Sequence, residues 1–79
     1  MEEQIKELTL LLLYLTSWIE KEPYGEYQRA WKEYDFDILN SLEDERLIGG
    51  STHKAKSTYI TNEGIKKAKE LMKKYNVKE

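Results

Sequence analysis

One histidine, His53, and no cysteine leave little from which to build a nucleophile with its base, or a soft-metal site. Nucleophilic catalysis needs a base within hydrogen-bond reach of the nucleophile, and zinc needs three or four ligands at set spacings. His53 stands alone between Thr52 and Lys54 and reads as a solvated turn residue. Asp35 and Asp37 resemble a carboxylate pair, but both fall where a helix begins, and capping plus first-turn dipole compensation accounts for them. Glu43-Asp44-Glu45 could attract a cation, yet no ligand set surrounds it, and it reads as a solvated helix end. Gly49-Gly50 lacks the spacing of a phosphate loop and reads as a strand irregularity or a turn. No catalytic residue, cofactor, metal or small-molecule ligand is therefore expected. The group with most functional promise is basic. Arg46, His53, Lys54 and Lys56 could track a phosphate backbone from a hairpin wing, although lysines there also protect a sheet edge. Arg29-Ala30-Trp31-Lys32 mixes an aromatic with two bases, as single-strand binders do; the plainer reading packs Trp31 in the core or at an interface.

These residues need elements to position them. Glu2 to about Glu20 reads as a first helix with two apolar stripes. Ile5, Leu8, Leu12, Leu15 and Ile19 form one stripe; Leu10, Leu11, Tyr14 and Trp18 form another beside it, with Leu13 stranded among polar residues. So apolar a helix needs cover on two sides. Either it is central to its own fold, or the second stripe, with Leu11, Tyr14 and Trp18, is a dimer face. Pro23 and Gly25 close the segment. Glu26 to Trp31 alternates Tyr27, Arg29 and Trp31 with Gln28 and Ala30 and suits a short strand. Asp35 caps a second helix to Arg46, with Phe36, Leu39 and Leu42 inward and Asp37, Asn40, Ser41 and Asp44 outward. Residues 47–60 form a hairpin with its tip at Thr52, His53, Lys54 and Ala55, and Ile60 points into the core. Thr61 caps a last helix to about Asn76, with Ile65, Ala68, Leu71 and Tyr75 on one side. Gly64 falls on that same side at a cost of about 1 kcal/mol in helix propensity, which close approach of another backbone would explain.

Seventy-nine residues allow one domain, 1–79, with one core. A chain this short hides only about 60% of its unfolded surface, so a dimer interface would add useful burial. The lack of cysteine fits a reducing compartment, and the apolar run from Leu10 to Leu15 is far short of the ~20 residues of a membrane span; a cytoplasmic protein with no membrane partner is expected. The net charge of −2 is unevenly spread. Residues 1–26 carry six acidic and two basic groups, whereas residues 62–79 carry three and six. A nucleic-acid binder usually shows a clear basic face, and this balance does not favour one.

Asp35, Leu39, Leu42, Leu47 and Ile48, followed by a basic turn and then Ile60-Thr61-x-x-Gly64, resemble the second half of winged-helix transcription regulators of the multiple-antibiotic-resistance type. Over most of the chain, Arg29-Ala30-Trp31-Lys32, Asp35-Phe36-Asp37 and Lys54-Ala55-Lys56-Ser57 resemble a family of small bacterial proteins of unknown function. The resemblance implies an α+β, winged-helix-like domain in the order helix, strand, helix, strand, strand, helix. The support helix of a DNA-binding winged helix finds no room between Glu22 and Tyr34, and Asp37 and Asp44 would repel phosphate. The expected function is thus a non-enzymatic interaction module, a homodimer through its first helix or a binder of another protein. A winged-helix DNA-binding regulator using the wing is the alternative.

Overall fold

The computed structural model describes residues 2–23, 25–50 and 56–78, and of Glu22 the backbone only. The order is α1 (Glu2–Leu15), β1 (Trp18–Glu22), β2 (Gly25–Trp31), α2 (Phe36–Asp44), β3 (Ile48–Gly49), β4 (Ser57–Ile60) and α3 (Asn62–Lys74). This is the expected α+β class, with one strand more than the sequence suggested. All pairings are antiparallel, in the spatial order β1-β2-β4-β3.

The extra strand comes from the first helix, which stops at Leu15 and not near Glu20. Two hydroxyls end it. Thr16 Oγ1 donates to the Leu12 carbonyl at 2.7 Å, and Ser17 Oγ donates to that of Tyr14 at 2.5 Å. Such bonds offer the backbone an alternative to continued helix. Gln28 Nε2 then donates to Ser17 Oγ at 2.7 Å, tying the break to β2. Trp18 therefore lies on a strand, opposite Arg29.

The 26–31 segment is a strand, as its alternation indicates, and fills the space where a support helix would stand. Side chains alternate across the sheet. Ala30, Ile48, Thr58 and Ile60 are buried on the inner side, where Ala30, Ile48 and Ile60 join Leu10 and Leu13 of α1, Leu39 and Leu42 of α2, and Ala68 and Leu71 of α3. Thr58 carries its hydroxyl into this core because Oγ1 donates to the Gly49 carbonyl at 2.6 Å.

Both caps fall where expected. Asp35 Oδ1 accepts from the N–H groups of Asp37 and Ile38, and Thr61 Oγ1 accepts from the N–H of Gly64. Phe36 is a correction: it is 67% exposed, although the i, i+3, i+6 spacing placed it with Leu39 and Leu42. Three-residue steps drift round a helix of 3.6 residues per turn. Ile38, adjacent to Leu39 and one turn before Leu42, packs on the core instead. After α2 the Leu47 N–H returns to the Leu42 carbonyl and the Arg46 N–H to that of Glu43, a Schellman closure with Arg46 at φ 62°.

Gly64 has its close backbone. A Cβ there would collide with the Leu47 carbonyl and Ile60 Cγ2. Thr61 bonds the same carbonyl through its N–H at 3.1 Å and its Oγ1 at 3.0 Å, so the start of α3 is pinned on the turn into β3. Gly64→Ala should lower stability by about 1–3 kcal/mol despite its better helix propensity, read as the urea midpoint. Arg46→Gly should raise it by roughly 0.5–1 kcal/mol in the same assay, since only the left-handed conformation is relieved.

Candidate interaction surfaces

The apolar side chains of α1 divide into two opposite faces. Leu10 and Leu13 face the core, and Leu13 is 0% exposed. On the other side Ile5, Leu8, Leu12 and Leu15 are 39–47% exposed. The expected dimer residues thus lie elsewhere. Leu11 is buried at 3% exposure, Tyr14 packs half-buried against the core, and Trp18 sits on the sheet against Trp31, their ring centroids 5.0 Å apart. The stripe that the sequence set beside them faces solvent instead.

Polar contacts fix this rotation. Lys6 is paired with Glu3 in its own helix and with Glu45 after α2. Glu7 Oε1 accepts from Lys74 Nζ and from the Tyr75 hydroxyl, each at 2.7 Å. The Glu7 side chain is only 11% exposed. The Lys74 bond, then the Tyr75 bond, hold its carboxyl below the ordinary carboxylate range, and the bond to Glu7 raises Lys74 in turn. Lys6 is raised by its bond to Glu45, against the opposing effect of burial. Lys6 and Glu7 therefore belong to the inner half of α1, and Ile5 and Leu8 must turn outward.

The exposed residues follow intervals of three, four and three. That is the narrow a/d seam of a coiled coil, where a core-facing stripe is usually broader. The spacing was the signal that could have found this face. Its residues present roughly 300–400 Å² of surface, the size of the largest apolar patch on an ordinary monomer, which is often functional.

Of the candidate phosphate-contact residues, the two that are described, Arg46 and Lys56, stand apart. The Arg46 carbonyl accepts from Thr61 Oγ1 at 2.8 Å, placing Arg46 beside the end of β4. Lys56 precedes the start of β4, about 16 Å away along an extended strand. His53 and Lys54 lie outside the described residues. Asp37, Asn40 and Asp44 are exposed on α2. Among the described residues no group of His, Cys, Asp or Glu could hold a metal ion, and no helix is long and apolar enough to cross a membrane. An open depression of about 420 Å³ lies between β1, β2 and the start of α3, lined in part by Ile19, Gln28, Thr61 and Ile65.

The family model described as a domain of unknown function (DUF6429) matches residues 1–78. The chain belongs to this family. The DUF6429 chain is also 32% identical over 73 residues to the uncharacterized protein y4hR of Sinorhizobium fredii (strain NBRC 101917 / NGR234), covering 92% of this chain and 89% of that protein. No solved structure matches. The resemblance to a small family of unknown function therefore holds. The likeness to multiple-antibiotic-resistance-type regulators gains no support from these matches. Among the described residues this chain has a capped helix, a strand pair and a second capped helix, with no helix-turn-helix.

The Glu7 cluster gives a pH dependence. With its folded pKa depressed, Glu7 contributes stability fully above the unfolded carboxylate value of about 4.3, and the contribution is lost as pH falls through the folded value. Lys74 is raised, so its contribution holds below about 10.4 and fades as pH climbs through the folded value. Urea midpoints taken from pH 7 down to about 3 should fall further for the native chain than for Glu7→Gln.

Proposed function

We propose that this DUF6429 chain is a non-enzymatic interaction module that self-associates through the outward seam of α1. The carrying observation is the run Ile5, Leu8, Leu12 and Leu15, exposed opposite a core already filled by Leu10 and Leu13. The seam suits a second copy because it is self-complementary. In an antiparallel pair, Ile5 meets the other copy's Leu15 and Leu8 meets the other copy's Leu12, so a two-fold axis crosses the seam midway between Leu8 and Leu12. Charge selects that direction. Glu2 and Glu3 lie in the first turn, and no Asp, Glu, Lys or Arg lies in the last turn. A parallel pair would gather four carboxylates at one end, whereas an antiparallel pair separates them. The shifted groups Lys6, Glu7, Lys74 and Tyr75 all have structural partners, which favours binding over catalysis. A cytoplasmic setting accords with a chain free of cysteine.

The seam supplies less than half of the ~800 Å² per partner of a standard interface, so weak, concentration-dependent association is expected. Sedimentation equilibrium from about 5 to 500 μM should show a monomer–dimer equilibrium, abolished by Leu12→Glu without change in the circular dichroism spectrum. Leu13→Ala should instead destabilise the fold by about 2–5 kcal/mol. A native chain still monomeric at the top of that range would refute self-association.

A further inference from the structure

The outward faces of α2 and α3 carry opposite charge, and the α1 seam uses neither. Glu33, Asp35, Asp37, Glu43, Asp44 and Glu45 are the only charged residues between 33 and 45, so α2 and its ends are wholly acidic. Residues 62–79 carry six basic groups and three acidic ones. On the inner side the fold matches these signs. Lys6 of α1 pairs with Glu45 after α2, and Glu7 pairs with Lys74 of α3. Consecutive helical residues diverge by about 100°, so α2 and α3 flank α1 on different sides.

On the outer side the same signs stand unmatched. Phe36, Asp37, Asn40 and Asp44 are all exposed and fall within an arc of about 100° on α2. Phe36, at 67%, is the most exposed large apolar side chain among the described residues. Lys66, Lys69 and Lys73 are exposed and fall within about 60° on α3, with Glu63 and Glu70 to one side. Asp37, Asp44 and these three lysines take part in no ion pair among the described residues. The two rows also match in length. Asp37 and Asp44 are seven residues apart, as are Lys66 and Lys73, which is about 10.5 Å along either helix.

We propose that copies of this chain dock head to tail, with the outer face of α2 on one copy against the lysine row of α3 on the next. With the two helices antiparallel, Asp37 meets the other copy's Lys73, and Asp44 meets the other copy's Lys66. The aliphatic stem of that Lys73 can cover the Phe36 ring while its ammonium reaches Asp37. The antiparallel direction also opposes the two helix dipoles. A foreign basic segment would satisfy α2 and leave the lysine row unmatched, and a polyanion would do the reverse; a second copy matches both. The contact is heterologous, so each pair keeps one acidic face and one lysine row for further copies, and association passes beyond a dimer. Exposed ion pairs are weak and screened by salt, so the contact belongs to high concentration and low ionic strength.

The test is sedimentation of Leu12→Glu, which removes the α1 seam, at about 500 μM in ~10 mM and ~300 mM salt, where the Debye length shrinks from about 30 Å to under about 8 Å. The weight-average mass should exceed the monomer's by about 1.5-fold or more at low salt and return to it at high salt. In that background Asp37→Lys with Asp44→Lys, and Lys66→Glu with Lys73→Glu, should each abolish the rise, and an equal mixture of the two chains should restore it. Glu2→Lys with Glu26→Lys shifts the net charge as far as the first pair and should leave the rise intact. Circular dichroism shows whether each variant is folded. The proposal is overturned if folded Leu12→Glu stays monomeric at low salt, even where the native chain dimerises through its seam. It is equally overturned if both folded charge-reversed chains still associate alone, or if the Glu2 and Glu26 reversals abolish the rise. A monomer that instead binds an octalysine peptide through Asp37 and Asp44 would give the α2 face to a foreign basic partner.

Discussion

The burial of Leu13 sets the arrangement of the rest. Its helix, α1, packs against α2, α3 and the central strand β2. With Leu10 and Leu13 committed to the core, every other apolar residue of α1 must find its place relative to them. The protein therefore has one helix at once most central and most incompletely covered. The two other helices lie on the inner side, against Leu10, Leu13 and the sheet, and leave Ile5, Leu8, Leu12 and Leu15 exposed.

Much of this fold was legible. Asp35, Thr61 and Gly64 each carry a local geometric demand, and the structure meets all three. The strand at Tyr27–Trp31 was legible because a period of two distinguishes itself within five residues. The phase of α1 was not. Four consecutive leucines, Leu10 to Leu13, point all round a helix, so hydrophobicity alone gives no direction. Direction came from Lys6 and Glu7, whose partners Glu45 and Lys74 are distant in sequence. Nor does the end of α1 carry a glycine or proline; two hydroxyls end it, and Thr and Ser at a helix terminus are a weaker mark.

The same reasoning explains why the buried and exposed residues of the first helix differ from the expected stripes although a first helix is present. Leu11, Tyr14 and Trp18 share a helical stripe only if the helix reaches Trp18. Once the chain breaks at Thr16, Trp18 joins Trp31 on the sheet and Leu11 goes inside. One break thus moved an aromatic from one surface to another. Arg46 and Lys56 look close in a hairpin drawn flat, but they stand near opposite ends of β4.

The two borders of the sheet are unequal. β3 offers only Ile48 and Gly49, with Tyr59 lying over its glycines, too short a template for another strand to grow upon. β1 is longer, but its sequence Trp-Ile-Glu-Lys-Glu, followed by proline, sets charges along the border. Short strands, charges and proline are the usual guards against edge-to-edge growth. The borders of the sheet therefore resist edge-to-edge growth, so crowding of this chain carries little amyloid hazard.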